Sequence, residues 1–305
     1  MRVLITGADG QLGRDLRDAL AGRVPVGGRR CSLWAPEGPV AGLTYEVLAT
    51  DIGDMPVNDR DAVWHTFAAF RPEVVLHGGA LTAVEACETE VDLAYAVNAV
   101  GTRNVAEAAR SVGAHLLYVS TDYVFDGTSP RPYREWDAPN PQSVYGASKL
   151  AGERECPPGS TIVRTSWVCG AHGNNMVKTA LRLAGGDGIL RFVDDQHGSP
   201  TFTADLAAAI VTLGTDRRPG LFHVTNGGAT TWCGFVRAVL EAAGADPARV
   251  HAIATADLDP PLLAPRPANS VLDNMALRLG GLPSLPTWQD GLSRLVTALA
   301  EEAPA

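Results

Sequence analysis

The 305-residue chain predicts an α/β fold: a doubly wound parallel sheet with a smaller, irregular C-terminal lobe. Three observations carry this. Short, near-continuous apolar runs alternate with helical patterns over the first 165 residues, as in parallel strands covered on both faces. A glycine-rich turn joins the first run to the first helical pattern. After residue 165 the alternation gives way to polar loops (GAHGNN, DDQHGSPT), short helices and a proline-rich stretch at 254–269.

In order, residues 3–6 read as a strand, and Leu12, Leu16 and Leu20 then step along one helix face. Residues 24–26 suit a second short strand, and 35–44, rich in proline and glycine, a loop. Strands follow at 45–48 and 74–77. A long helix is expected over 92–112, capped by Gly113. Residues 115–119 form a further strand, 126–142 an ordered loop with four prolines, 143–155 a helix and 161–164 a strand. One more strand at 222–224 returns the chain to the main sheet around 205–225.

Composition excludes several classes. With 46% hydrophobic and 19% charged residues the chain has enough apolar material for a core. A net charge of −9 lacks the broad basic field that duplex nucleic acid demands, so no nucleic-acid partner is expected. No apolar run approaches a membrane span, and the glycine motif at the N-terminus leaves no room for a signal peptide. Five scattered cysteines form neither a C-x-x-C pair nor a zinc spacing. A cytoplasmic protein with idle thiols is the expectation. Only two basic residues are lysines, Lys149 and Lys178; the habit is arginine, so a lysine marks a place where arginine would not serve.

Gly7, Gly10 and Gly13 space a G-x-x-G-x-x-G turn between strand and helix. Such a turn lets the backbone approach a pyrophosphate, and the helix N-terminus, here Gln11 and Leu12, faces it with free N–H groups. A plain structural turn is the alternative. The context favours a Rossmann-type dinucleotide site in residues 1–165. In that fold an acid after the second strand holds a ribose diol, whereas an arginine favours a 2′-phosphate. The stretch VGGRR offers Arg29 and Arg30 and no acid, so NADPH is expected over NADH, with NADH possible; two solvated surface arginines are the alternative. Asp51 and Ile52, following a later strand, are placed to approach the adenine.

Tyr145 and Lys149 sit four residues apart on the helix expected over 143–155, hence on one face. A phenol titrates near ~10, and a nearby ammonium lowers that value. Lysine, a compact charge with three donors, suits the task and also holds ribose hydroxyls; arginine's planar fork does not substitute. An exposed tyrosine and lysine one turn apart would be unremarkable alone. Here Ser120 and Thr121 end the preceding strand, where parallel strands present residues to ligand. Hydroxyl, tyrosine and lysine behind a glycine turn are the parts of a carbonyl reductase.

The segments TGADGQLG, YVSTDYVFDG, YGASKLAGE and RTSWV together resemble the extended short-chain dehydrogenase/reductase family. TAVEACE, AYAVNAVGT, GNNMVKT, DDQHGSPT, TTWCGF, RPANSVL and PTWQDGL narrow the resemblance to the dTDP-4-dehydrorhamnose reductases, in family order over nearly the whole chain. The resemblance implies NAD(P)H-dependent reduction of the C4 ketone of a dTDP-4-keto-6-deoxyhexose. It implies Thr121, Tyr145 and Lys149 as the catalytic set, with Tyr145 donating the proton. Gly78, Gly79 and Ala80 would pass beside the cofactor, with Asn98 organising that site. Val84, Asp122, Tyr123 and Trp167 would lie near the sugar, the last two also suiting plain core aromatics. Residues 166–204 and 226–305 would form the substrate lobe.

Departures are Leu81, where relatives carry an aromatic or histidine, and Glu85, where aspartate is common. Some members share a magnesium ion between subunits. Asp15 matches one acid, but Ala298 stands where another is expected, so no metal is expected, and a homodimer would lack a bridging ion. Alternatives are the same chemistry on another dTDP-4-keto sugar of an antibiotic pathway, as in dTDP-dihydrostreptose synthase, and a non-catalytic relative such as the methionine adenosyltransferase β subunit. The intact Thr121, Tyr145 and Lys149 set argues against the latter.

Overall fold

The computed structural model describes residues 1–28 and 44–302, so Arg29, Arg30 and residues 31–43, most of the stretch expected to be a loop, lie outside the described residues. Six strands form one parallel sheet: β1 (Arg2–Thr6), β2 (Glu46–Thr50), β3 (Val74–His77), β4 (His115–Thr121), β5 (Thr161–Thr165) and β6 (Gly220–His223). Their spatial order is β6-β5-β4-β3-β1-β2. The helices are α1 (Gln11–Leu20), α2 (Arg60–Phe70), α3 (Val84–Thr89), α4 (Val91–Tyr95), α5 (Gly101–Val112), α6 (Val144–Glu155), α7 (Met176–Ala184), α8 (Thr203–Thr215), α9 (Trp232–Ala242), α10 (Met275–Leu279) and α11 (Trp288–Glu302).

Strand side chains alternate between faces, and here both faces are covered. Val3 and Ile5 pack with Leu16 of α1 and Leu206, Ile210 and Leu213 of α8. Leu4 points the other way, among Val63 and Phe67 of α2 and Val105 and Ala109 of α5. Each fully buried leucine, isoleucine or phenylalanine contributes roughly 1.5–3 kcal/mol by leaving water. The edge strand β6 and helix α8 pack on this sheet. A separate core in the C-terminal lobe joins α7, α9 and α11 through Val177, Phe235, Val239 and Leu292. No helix among the described residues is long and apolar enough to cross a membrane.

One strand expectation fails. Residues 24–26 form no strand; β2 is Glu46–Thr50, in parallel register with β1. Pro25 has no N–H to give a sheet neighbour, and Gly27, at φ +72, turns the chain where a Cβ would meet the Leu295 backbone at 2.9 Å. The acid read as missing after the second strand is therefore present: Asp51 follows β2 directly. The argument for NADPH from an acid-free strand end loses its premise.

The long helix over 92–112 is interrupted by a π turn, Ala96–Val100, between α4 and α5. Gly113 closes α5 at φ 74, as expected. Ser143 caps α6, its hydroxyl accepting the Gly146 N–H at 3.2 Å. The carboxyl ends of β1, β3, β4 and β5 point to one side, where a ligand crevice forms in such sheets.

Candidate active site

A cleft of about 740 Å³ lies across those strand ends. Its walls are the β1–α1 turn, residues 51–52 and 55–58, the segment after β3, the end of β4, one face of α6, and Trp167 and Trp232 from the other lobe.

At one end is the glycine turn. Gly7 adopts φ +69, and a Cβ there would lie 2.9 Å from the Gly79 nitrogen. A Cβ at Gly13 would come within 2.2 Å of the Gly7 carbonyl oxygen, so α1 packs on the turn only without side chains. Gly10, the N-cap, supplies no side-chain acceptor to the first-turn N–H groups. Gly7, Gly10, Gln11 and Leu12 all line the cleft. Gln11 also accepts a hydrogen bond from Asn175 Nδ2 at 3.1 Å, tying the second lobe to the turn.

Asp51 and Ile52 line the adjoining wall. The Asp51 carboxylate accepts the Asp9 N–H at 2.9 Å and the Ile52 N–H at 2.8 Å, which fixes it at the strand end. Met55, Pro56, Val57 and Asn58 complete this wall; sequence reasoning missed them, although their place just after a strand was the available signal.

Gly78, Gly79 and Ala80 run along the floor, the Gly79 N–H donating to Thr6 Oγ1 at 3.0 Å. Asn98 does not line the cleft. It is fully buried; its Oδ1 accepts the Leu81 N–H at 2.8 Å, and its Nδ2 donates to the Leu81 carbonyl at 3.1 Å and to Ser148 Oγ at 3.0 Å. The π turn carries this amide inward, so it braces the floor loop against α6 from behind. Leu81 is likewise absent from the lining, its backbone held by Asn98.

Thr121, Tyr145 and Lys149 meet at the middle of the cleft. The Thr121 hydroxyl donates to Asp122 Oδ1 at 3.0 Å and accepts the Tyr123 N–H at 3.2 Å. Burial raises the Tyr145 phenol above its ordinary value, and its hydrogen bond with Thr121 pulls the other way. The expected depression by Lys149 is not what the structure shows. The Lys149 ammonium donates to the Val119 carbonyl at 2.7 Å and lies 4.1 Å from the Tyr118 ring centre. Burial pushes it down to about 7, with the Glu153 charge opposing. Desolvation outweighs ion–phenol attraction here because both groups are buried away from water. Tyr145 therefore holds its proton at neutral pH.

The remaining predicted side chains, Val84, Asp122, Tyr123 and Trp167, line the cleft beyond Tyr145. Tyr123 meets Tyr145 edge-on, with ring centres 5.6 Å apart. Burial pushes the Asp122 carboxyl up to about 6, opposed by hydroxyls of Ser270 and Thr121. Trp167 adopts φ 45 and stacks on Trp232 at 3.6 Å between centres, with 4° between planes. A Cβ at Gly198 would come within 2.3 Å of the Trp167 ring. Trp232, which also lines the cleft, was missed; its signal was an aromatic at a helix start, after the Thr231 cap. Glu85 stands outside the cleft wall and accepts the Leu263 and Ala264 N–H groups and Arg266 Nη2, fastening the proline-rich segment.

Among the described residues, ligand atoms of Asp15, Asp18 and His172 lie within 4.8 Å of one another. The donor set is a poor cation cradle. Asp18 is already paired with Arg23 at 2.5 Å. Burial pushes Asp15 up to about 6, so it carries a proton over part of the working range.

The profile of the family described as RmlD substrate binding domain matches residues 1–301. The dTDP-4-dehydrorhamnose reductase of Streptomyces griseus is 40% identical over 311 residues, covering 99% of this chain and 95% of that one. Among solved structures, a dTDP-4-dehydrorhamnose reductase of Clostridium acetobutylicum is 38% identical with a TM-score of 0.88, over 98% of this chain and 100% of that one. That of Bacillus anthracis, in complex with NADP, is 37% identical with a TM-score of 0.85, over 97% and 98%. The motifs, the sheet order and these likenesses agree: the chain belongs to the RmlD family, the dTDP-4-dehydrorhamnose reductases.

Proposed function

We propose that this protein is an NAD(P)H-dependent oxidoreductase that reduces the C4 ketone of a dTDP-4-keto-6-deoxyhexose, dTDP-4-dehydrorhamnose first, giving dTDP-L-rhamnose. The observation that carries this is one cleft with the glycine turn at one end and Thr121, Tyr145 and Lys149 at its middle. The family supports it through the names of the Streptomyces griseus and Clostridium acetobutylicum relatives, and the Bacillus anthracis relative binds NADP.

The residues fit a dinucleotide. Gly7 and Gly13 are sites a Cβ would fill, and the uncapped N-terminus of α1 offers N–H donors and a positive dipole end to a pyrophosphate. When bound, the nicotinamide supplies the hydride for C4. Lys149, with protons beyond the one given to Val119, holds ribose hydroxyls. Thr121 aligns the ketone oxygen next to Tyr145. As charge develops on that oxygen, Tyr145 gives up its phenolic proton, and the Lys149 ammonium steadies the phenolate left behind. Val84, Asp122, Tyr123 and Trp167 orient the sugar from the far wall. Residues 1–165 thus serve the cofactor, and 166–204 with 226–305 close over the sugar nucleotide.

For the cofactor, Asp51 at the end of β2 stands where a ribose diol is held, and its carboxylate disfavours a 2′-phosphate. NADPH has the NADP-bound relative on its side. We read the site as accepting both, with less NADPH preference than Arg29 and Arg30 suggested. Turnover measured by NADPH and NADH oxidation against a panel of dTDP-4-keto-6-deoxyhexoses, with products identified by NMR, tests the proposal. No oxidation with any of them overturns it.

A further inference from the structure

Lys149 is a buried cation whose hydrogen-bond partner is a carbonyl, not a carboxylate. An ammonium in such a place tends to shed its proton, yet the proposed chemistry needs it charged. The groups around it come from every packed element. His77 lies on β3, Tyr118 and the Val119 carbonyl on β4, Tyr145 and Glu153 on α6, and Cys156 at the end of that helix. His77 is neutral, burial holding it at about 3. Burial pushes Cys156 up to about 12, so it too is uncharged near neutrality. Tyr118 is pushed well above its ordinary value and stays a phenol.

That leaves Glu153, four residues after Lys149 and so on its helical face. It is 8% exposed. Its Oε1 accepts the Ser120 hydroxyl at 2.5 Å and Arg164 Nε at 2.8 Å, and its Oε2 accepts Arg164 Nη2 at 2.6 Å. Ser120 directly precedes Thr121 on β4, and Arg164 lies on the neighbouring β5. One carboxylate thus ties α6 to the two strands that carry the rest of the site. A lone pair with Arg164 would need neither the Lys149 face nor Ser120.

Resting on the reductase reading above, we propose that Glu153 is a positioning residue of the reaction. It locks the end of β4 through Ser120 and supplies the negative field that keeps the Lys149 ammonium charged in its buried seat. Arg164, whose guanidinium pairs with Glu153 at 2.6 Å and lies over the Phe125 ring, 5.0 Å from its centre, is not among the groups that shift Lys149, whereas Glu153 is.

The chain contains only two lysines, Lys149 and Lys178, so lysine labelled with ¹³C at Cε gives two signals. Lys178, on α7 in the other lobe, is the internal reference. Because Glu153→Gln alone strands a buried guanidinium, the informative variant is Glu153→Gln with Arg164→Met, which removes both charges and keeps the volume. The Lys149 midpoint should fall by about one pH unit relative to the wild type, with the Lys178 signal unmoved, and the alkaline limb of kcat/KM should shift down with it. Glu153→Asp, which keeps the charge, should leave the midpoint close to wild type. An unchanged Lys149 midpoint in a folded double variant overturns the proposal and leaves Glu153 a structural partner of Arg164. A wild type that turns over no dTDP-4-keto sugar overturns the reductase reading instead.

Discussion

Truncating Asn98 to alanine should damage both stability and cofactor use. The carboxamide makes three hydrogen bonds inside the protein, two to the backbone of Leu81 and one to Ser148 Oγ. Ser148 keeps a partner, because its hydroxyl also donates to the Tyr145 carbonyl at 2.9 Å. The Leu81 N–H loses its acceptor, and the Leu81 carbonyl loses its amide donor and keeps only the weak Cys87 thiol at 3.8 Å. Each buried backbone group left unpaired costs about 1–3 kcal/mol, so the loss is about 2–5 kcal/mol. For a chain of this size that lowers Tm by roughly 3–8 °C. The freed segment is the one that places Gly78, Gly79 and Ala80 on the cleft floor, so KM for NADPH should rise several-fold as well. Thermal unfolding followed by circular dichroism, together with steady-state kinetics at saturating sugar, reads both effects. Ser148→Ala, which removes one of the three contacts, should fall in between. A Tm within 2 °C of wild type and an unchanged cofactor KM would show that Asn98 braces nothing that matters.

Asp51→Asn should weaken NADH by roughly tenfold, the scale of one charge-assisted hydrogen bond, and NADPH by less, because a repulsion toward the 2′-phosphate goes with it; equal losses in dissociation constant would count against a ribose role. Asp15→Asn should stabilise the protein at alkaline pH. The folded carboxyl is raised from 3.8 to about 6, so the stability it contributes is complete below the unfolded value and is lost as pH rises through the folded one. The gain should reach at most about 3 kcal/mol above pH ~7 and vanish near pH ~4, read as Tm against pH; a gain confined to acid pH would contradict the burial argument. EDTA should leave the rate unchanged, since Asp18 is paired with Arg23 and burial disfavours the charged form of Asp15 that a cation needs; a loss restored by magnesium would refute this.

The parts of the fold set by local pattern were legible. Alternating apolar runs marked the sheet, Gly113 and Ser143 marked helix ends, and the glycine turn and the Tyr145–Lys149 spacing marked the cleft before its walls were known. The second strand was misplaced because residues 24–26 offer apolar side chains but Pro25 cannot pair, while the strand that does pair comes 20 residues later. That one slip hid Asp51 as the acid of the strand end. The inward placement of the Asn98 amide was not legible, since a π turn is invisible in a helical pattern. Glu153 and Trp232 were missed for a related reason: their partners, Ser120 and Arg164 for one and Trp167 for the other, are close only through space. The Tyr145 shift was read from its neighbour's charge alone, and burial, which a sequence does not display, proved the larger effect.

The most direct test is kcat for NADPH-dependent reduction of dTDP-4-dehydrorhamnose by the wild type and by Tyr145→Phe, with cofactor affinity measured alongside. The variant keeps the ring against Tyr123 and loses only the phenolic proton that burial holds in place. The wild type should turn over. The variant should fall by roughly 10²–10⁴ in kcat, with NADPH affinity changed little. A near-normal kcat in Tyr145→Phe would contradict the assignment of Tyr145 as the proton donor.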